Sequence, residues 1–345
     1  MRRIALVSAT ALTAAMLLPA LPAQATYSGS NGRISFFRIA GDTAEVFSAA
    51  ANGTGLVQLT HSGVDGDGNA RQSVFSDWSP DGSRIAFDSD RVDADGNEDV
   101  VQTYVMDADG SNVRQVTAGL GSQGDPAWSP NGQRLATEAD WGNYPSDQGI
   151  WTIPSNASMV HKTGAVRVTT FPYADGYDGE PQYSPDGAWI VFTRFASCLF
   201  HPNKDKQPAG CQQAIFKVWP DGSHLTQLTA WGRQNSAPDW SPDGKQIAFD
   251  SGDVGRQGSV GDVWVMNANG SGKRRLTHTR PVSRAAGFVI TNNPVWSPDG
   301  TQLMFTQWHD DQPTTIDRIN SDGTGQTTIV TGGDFVNKVD WGVHS

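Results

Sequence analysis

Short apolar runs alternate with polar turns along most of the chain. Runs such as 84–87 (RIAF), 246–249 (QIAF) and 302–305 (QLMF) are bounded by glycine, proline, aspartate and serine. Short apolar runs with such boundaries are typical of β-strands joined by hairpins. The pattern therefore predicts an all-β fold.

The turn before these runs is an internal repeat. Its sequence, an aromatic residue followed by Ser-Pro-Asp/Asn-Gly, occurs five times, and successive serines lie 50, 55, 57 and 56 residues apart. Because proline fixes φ, Asp or Asn accepts local hydrogen bonds and glycine takes a positive φ, each copy predicts a hairpin turn. The copies are Trp78–Gly82, Trp128–Gly132, Tyr183–Gly187, Trp240–Gly244 and Trp296–Gly300.

Each repeat continues with a third strand, a second turn and a fourth strand, which together make the blade of a β-propeller. Residues 31–36 look like a second strand without a first, and 339–342 like a first strand without a partner. Pairing of these terminal strands would close the ring and remove its exposed edges. We therefore expect a six-bladed propeller of four-stranded antiparallel blades. Its single domain covers 26–345, with blade 1 from 31–60 plus 335–342 and blades 2–6 from about 74–117, 123–169, 179–229, 236–277 and 292–331.

The fourth strand of several repeats ends in Leu-Thr, as at 228–229 and 276–277. This pair and the W-S-P-D-G and I-A-F elements together resemble the PD40, or WD40-like, repeats of TolB-type propellers. They also resemble the non-catalytic propeller domain of prolyl oligopeptidase-like enzymes. The resemblance implies a propeller over residues 26–345. It implies no particular activity, because the shared motifs are turns and core side chains. TolB carries a separate N-terminal α/β domain, whereas only 26–30 precede the first strand here, and nothing follows Ser345. We therefore expect a propeller alone.

The first 25 residues predict a cleavable signal peptide, with a basic start, an apolar stretch over 4–21 and a small-x-small site at 23–25. Its removal leaves 23 basic and 36 acidic residues, a balance that disfavours binding to nucleic acid. We expect a secreted or periplasmic protein, monomeric, with no membrane anchor and no lipid-attachment cysteine. In that oxidising setting Cys198 and Cys211 predict a disulfide.

One face of the predicted ring carries the long loops, and binding residues tend to lie on such loops. Three positions before each first-strand aromatic residue, the sequence has a set that would surround the mouth of the central channel. Its acids, amide and lysine favour binding of a peptide terminus or a small polar ligand, although a solvated pore lining is the alternative. The set, called here the channel-mouth ring, is Phe75, Asp125, Glu180, Ala237, Asn293 and Lys338.

Tryptophans offer a second candidate surface. Trp141, Trp231 and Trp308 fall in predicted loops of the same face, where they could contact a protein or a glycan or could cap the core. The other nine, including Trp219, are predicted to belong to the core.

Two acidic loops suggest a calcium site. Residues 65–69 (DGDGN) and 93–97 (DADGN) place oxygen ligands at alternate positions, as Ca²⁺ requires. Neither loop has the bidentate Glu of a complete EF-hand loop, so ordinary polar turns are the alternative. The candidate ligands are Asp65, Asp67, Asn69, Asp93, Asp95 and Asn97.

The sequence favours a non-catalytic role. It contains neither a G-x-S-x-G nucleophile motif nor an H-E-x-x-H metal motif. We therefore expect a scaffold that binds a protein, peptide or glycan at the cell envelope or outside the cell. The alternative is a metal-dependent lyase or lactonase with its site at the top of the channel, because a propeller can assemble ligands from several blades.

Overall fold

The structure is a computed structural model, and it describes a set of ranges that covers most of the chain. The expectation of an all-β propeller is confirmed. The single helical segment among the described residues is a 3-10 turn at Lys162–Gly164. The described residues are 28–91, 96, 100–119, 121–142, 146–171, 176–196, 212–252, 260–279, 289–309, 312–332 and 335–344.

Four sheets have four strands each. The first contains β1 (Asn31–Ala40), β2 (Thr43–Ala50), β3 (Val57–Gln58) and β24 (Phe335–Val343). The second contains β4 (Ser73–Trp78), β5 (Arg84–Ser89), β6 (Gln102–Asp107) and β7 (Arg114–Gln115). The third contains β8 (Gln123–Trp128), β9 (Arg134–Ala139), β10 (Gly149–Pro154) and β11 (Val166–Arg167). The fourth contains β12 (Gly176–Tyr183), β13 (Ile190–Ala196), β14 (Gln212–Val218) and β15 (Thr226–Gln227).

The expectation of six separate four-stranded blades is wrong, because the remaining strands form one eight-stranded sheet. The two halves of this sheet are joined where Gly261, in the strand Val260–Asn267, pairs in parallel with Ile290, in the strand Val289–Trp296. A Cβ on Gly261 would lie 3.1 Å from the Thr291 carbonyl oxygen, so the absence of a side chain permits this approach. Its strands are β16 (Gln234–Trp240), β17 (Gln246–Gly252), β18 (Val260–Asn267), β19 (Arg274–Arg275), β20 (Val289–Trp296), β21 (Gln302–His309), β22 (Thr315–Asn320) and β23 (Thr327–Thr331).

The two ends of the chain meet in the first sheet, as the sequence predicts. Strand β24 pairs antiparallel with β1, for example at Ile34 and Trp341. The Asn31 side-chain amide also donates a hydrogen bond to Asp299 over 3.0 Å. Hydrogen bonds and core contacts between segments about 300 residues apart in sequence therefore close the first sheet.

The repeated turn has the expected chemistry. In the second sheet, the Ser79 hydroxyl donates to Asp81 over 2.7 Å and accepts the Arg84 backbone N–H over 2.9 Å. Gly82 takes a φ of +67°. The aromatic residue before each turn is buried between neighbouring sheets, and Trp128, Trp240 and Trp296 are among the largest fully buried side chains. The repeated motif therefore fixes both the hairpin and the packing of one sheet on the next.

Candidate functional site

The six residues of the channel-mouth ring share one backbone conformation. Each has a positive φ, between +47° and +55°, which is uncommon for residues other than glycine. Each lies where the pairing of the first and second strands of its sheet shifts register, as between Val74 and Asp77. The predicted alignment of the six positions therefore coincides with a repeated β-bulge, a feature that redirects a side chain at the end of a strand.

These bulges converge on one narrow cavity. Its lining includes five residues of the ring, which come from four sheets: Asp125, Glu180, Ala237, Asn293 and Lys338. Its volume of about 30 Å³ is enough for about two water molecules. The cavity is therefore a constriction, with room for one small chemical group of a ligand but not for several side chains.

Lys338 is the cation of this cavity. Its ammonium nitrogen lies 3.0 Å from Asp125 Oδ1, and the two side chains are 16% and 12% exposed. It also lies 5.7 Å from the centre of the Phe75 ring, within the range of a cation–π contact. Burial opposes the charge of Lys338, but the carboxylates of Asp125 and Glu180 outweigh burial and raise its pKa. Lys338 is therefore held in its charged form.

Behind the ring lies a layer of buried carboxylates from the second strands. Asp88 accepts the Asp125 backbone N–H over 2.7 Å, and Glu180, which belongs to the ring itself, accepts the N–H of Ala237 over 2.7 Å. Asp250 accepts a hydrogen bond from the Ser236 hydroxyl over 2.8 Å. These side chains hold ring residues of neighbouring repeats in place.

Burial changes the acidity of this layer. It raises the pKa of Glu138 to about 8, and the neighbouring charge of Asp125 adds to the effect. Burial likewise raises the pKa of Asp250 to about 8, and it raises the pKa of Asp88 well above its usual range. One oxygen of Asp88 and one of Asp250 are buried without a hydrogen-bond partner. Part of the layer is therefore protonated at neutral pH and can ionise beside a new cation or donor.

Sequence reasoning missed these buried acids, although a signal for them was present. Asp88 and Asp250 each follow the I-A-F triplet of a second strand, and Glu138 follows the corresponding L-A-T triplet, so all three lie at the same position of the repeat. The side-chain period of two places that position on one face throughout the ring. An acidic residue that recurs on the predicted core side of a strand indicates that this side faces a polar channel rather than an apolar core.

A third group of carboxylates lies deeper along the cavity and joins the repeats. Asp340 accepts the backbone N–H of Trp78 over 2.7 Å, and Asp77 accepts that of Trp128 over 2.8 Å. Burial and the neighbouring Asp340 raise the pKa of Asp77 well above its usual range. Because both side chains are satisfied by backbone groups, these acids act as structural links between repeats.

The predicted loop tryptophans lie in different environments. Trp141 is 7% exposed and packs edge-on against Trp151 in the core, with ring centres 5.8 Å apart. Trp231 is partly buried and packs on Phe216. Trp308 is 39% exposed and contacts the Phe335 ring edge-on. Of the three, Trp308 presents the most surface to a partner.

Trp219 differs from its predicted place in the core. It is 38% exposed and stacks on His224, with ring centres 3.7 Å apart. It belongs to the turn that follows β14, and Gly222 of the same turn has a φ of +85°. Its position in a tight turn, rather than within a strand, places the indole at the surface.

The first acidic loop folds on itself. Asp65 Oδ1 accepts the backbone N–H groups of Asp67 and Asn69 over 2.9 and 2.7 Å, and its other oxygen accepts the Asn69 amide. The hydrogen bond from Asn69 lowers the pKa of Asp65. The described residues contain no group of three or more His, Cys, Asp or Glu side chains placed to hold a metal ion.

Several predicted residues lie outside the ranges that the structure describes. They are Asp93, Asp95 and Asn97 of the second acidic loop, and the two cysteines, Cys198 and Cys211. The predicted signal peptide lies outside them as well. No helix within the described ranges is both long and apolar enough to cross a bilayer.

Comparison with known proteins identifies the family. The model of the TolB beta propeller domain matches residues 121–345, which is more than half of the chain. The chain therefore belongs to the TolB beta propeller family, and the resemblance inferred from the repeats is confirmed.

Relatives of known sequence match over part of their length. A TolB homolog from Chlorobium luteolum is 29% identical over 266 residues, covering 67% of this chain and 54% of the relative. An uncharacterized protein from Agrobacterium fabrum is 26% identical over 180 residues, covering 51% of this chain and 54% of the relative. The chain thus spans about half the length of these two relatives.

Solved structures share the fold. TolB from Acinetobacter baumannii superposes with a TM-score of 0.64 at 19% identity, covering 91% of this chain and 67% of that one. An oligogalacturonate lyase in complex with manganese has a TM-score of 0.52 at 16% identity, with 88% and 74% covered. At such identities the likeness extends to the fold alone.

Proposed function

We propose that this protein is an exported binding scaffold whose channel mouth receives a cationic group of a peptide or protein partner. The observation that carries the proposal is the excess of carboxylates around one lysine. Asp125 and Glu180 face the cavity from the ring, and the buried acids lie behind them. A positive group entering the mouth would meet preorganised acceptors in a poorly solvated site, where electrostatic attraction is strong.

The amino terminus of a peptide or a lysine side chain suits this constriction. An ammonium group is compact and donates three hydrogen bonds, so it can share the carboxylates that already surround Lys338. Entry of a second cation would also favour ionisation of Glu138 and Asp250, because an opposite charge nearby lowers the pKa of a carboxyl group. Exposed side chains on the same face, such as Trp308 near the end of β21, would supply contact with the rest of the partner.

Membership of the TolB family supports a place in the cell envelope, and the leader predicted over residues 1–25 supports export. A fractionation experiment with the full-length chain tests this part of the proposal. Recovery of a shortened protein outside the cytoplasm is expected. Recovery of the full-length chain in the cytoplasm would contradict it.

Peptide binding can be tested with a matched pair of probes. Tetraalanine with a free amino terminus is expected to shift nuclear magnetic resonance signals of residues around the channel mouth, whereas its N-acetylated form is not. Glu180→Gln should weaken binding of the free peptide by about tenfold, the effect of one charge-assisted hydrogen bond. Asp243→Asn, in an exposed turn remote from the mouth, serves as the control and should bind as the wild type does. Equal binding of both peptides would contradict the proposal.

A further inference from the structure

A larger cavity lies at the other end of the first strands, where the repeated turns are found. It has a volume of about 540 Å³ and lies where β24 and β1 of the closing sheet meet the second sheet. Its walls include Trp78, Ala108 and Val343. We call it the seam cavity because the chain ends close the ring beside it. Its volume lies within the range of sites for small ligands.

Glycines shape the walls of the seam cavity. A Cβ on Gly82 would lie 2.8 Å from the Val343 carbonyl oxygen, and one on Gly32 would lie 2.2 Å from the same atom. A Cβ on Gly342 would lie 2.7 Å from the Trp78 ring. The close contacts between the segments thus depend on three residues without side chains. The walls are backbone and indole, which form a fixed rather than an adaptable surface.

The charge of the seam cavity opposes that of the whole chain. Arg33, Arg318 and His344 line it, and no aspartate or glutamate is among the described residues that do so. The chain as a whole has a formal net charge of −11. In such a protein, a cavity whose charged side chains among the described lining residues are two arginines favours an anionic occupant.

The two arginines differ in how they are held. Arg33 donates to the Ser48 hydroxyl over 2.7 Å and to the Gly55 carbonyl over 2.8 Å, so its position is fixed. Within the described part of the chain, no side chain or backbone group accepts a hydrogen bond from the Arg318 guanidinium. Arg318 is half-buried and lines the cavity, so its N–H donors are available to a ligand there.

A neighbouring cavity of about 450 Å³ makes a useful contrast. It lies beside the corresponding turns of the eight-stranded sheet, and Asp243 and Asp299 line it together with Arg274. There the arginine donates to the Ser321 carbonyl over 2.7 Å. Each of the two cavities thus has in its lining an arginine of the eight-stranded sheet, Arg318 of β22 in the seam cavity and Arg274 of β19 in the other. Arg274 has a hydrogen-bond acceptor and acidic residues beside it in the lining, whereas Arg318 has neither within the described ranges.

We propose that the seam cavity binds a small organic anion, with Arg318 as the group that pairs with its carboxylate or phosphate. The apolar part of the ligand would pack against Trp78, Ala108 and Val343. Such a guanidinium can bind an oxyanion through two parallel hydrogen bonds, and the indole supplies a flat apolar surface. This site is separate from the channel mouth, and it requires nothing of the proposed peptide binding.

The proposal can be tested with defined probes on the mature protein. The probes are 3-phenylpropionate, phenyl phosphate, inorganic phosphate and the neutral 3-phenylpropan-1-ol, and binding is measured by saturation-transfer magnetic resonance and calorimetry. Binding of at least one aromatic anion is expected, at least tenfold tighter than that of the alcohol and of inorganic phosphate. Comparison of the carboxylate with the phosphate tells which oxyanion the site prefers.

Variants localise the binding. Arg318→Gln is expected to weaken binding of the anion about tenfold, and Ala108→Phe is expected to abolish it by filling the apolar end. Arg274→Gln, in the neighbouring cavity, is the matched control and should leave binding unchanged. Melting temperatures of the variants verify that each is folded. Absence of binding to the wild type at millimolar concentration, or equal binding by folded Arg318→Gln, would overturn the proposal.

Discussion

Lys338 and Asp125 are 213 residues apart in sequence, yet their charged groups lie within 3.3 Å of each other at the centre of the protein. Each is held at a β-bulge with a positive φ, one in the third sheet and one in the strand that closes the first. The ion pair thus joins the first sheet to the third sheet across the channel. Among the described residues that line the cavity, no second cation accompanies the other carboxylates.

Replacement of the lysine should destabilise the protein. In Lys338→Met, Asp125 and the neighbouring acids lose their counter-charge, and removal of one partner of a buried pair costs about 3 kcal/mol. The free energy of unfolding, measured by urea denaturation at pH 7.5, should fall by about that amount. Lys245→Met, which removes an exposed ion pair with Asp243, is the control and should show no measurable change. Equal stability of both variants would show that the central pair is not needed for folding.

The buried acids predict a dependence of stability on pH. Glu138 and Asp250 have pKa values of about 8 in the folded protein, above the ordinary values of 4.5 for Glu and 3.8 for Asp expected after unfolding. Between these values the folded state binds more protons than the unfolded state, so stability falls as pH rises from about 4.5 to 8. The midpoint of urea denaturation should therefore decrease from pH 5 to pH 8.5. In Glu138→Gln this decrease should be smaller, and an unchanged slope would contradict the assignment.

Closure by the terminal strands should be essential. Deletion of residues 335–345 removes β24, which exposes the edge of β1 and uncovers Ile34 and Phe36 in the core. We expect no soluble protein on expression. Gly342→Ala tests the same contact without shortening the chain, because its Cβ would lie 2.7 Å from Trp78, and it should lower the melting temperature by several degrees. A deletion variant that melts like the wild type would refute closure.

The joined eight-stranded sheet depends on Gly261. In Gly261→Val the new side chain would meet Thr291, so the parallel pairing with β20 should be lost. Amide hydrogen exchange at Ile290 should then become faster, while exchange in the distant second sheet stays as in the wild type. Unchanged protection of Ile290 would mean that this pairing does not hold the two halves together.

Replacement of Trp141 and replacement of Trp308 should differ in their effect on stability. Trp141 is buried, so Trp141→Ala should lower the free energy of unfolding by about 3 kcal/mol. Trp308 is 39% exposed, and Trp308→Ala should change it by much less. Urea denaturation of both variants gives the comparison. Similar losses in both would place Trp308 in the core as well.

The repeat made most of the strands and the channel-mouth ring predictable, because turn chemistry and a fixed distance to the aromatic residue recur in each unit. Glu180 and Lys338 were found in this way. The pairing at Gly261 was not predictable, since it depends on how closely two repeats approach. For Trp141 the sequence left partner contact and core capping both open, because a loop position does not tell which way the indole packs, and the structure places it in the core.

The most direct test of the account is a measurement of proton release when a cation enters the channel mouth. Calorimetric titration of tetraalanine at pH 6.5, where its amino terminus is already protonated, in two buffers of different ionisation enthalpy, measures the protons that the protein exchanges on binding. If the ammonium group lies beside Glu138 and Asp250, whose pKa values are about 8, binding should release protons, and Glu138→Gln should reduce the number released. Binding without proton release, or the same release by Glu138→Gln and the wild type, would contradict a cation site at the channel mouth.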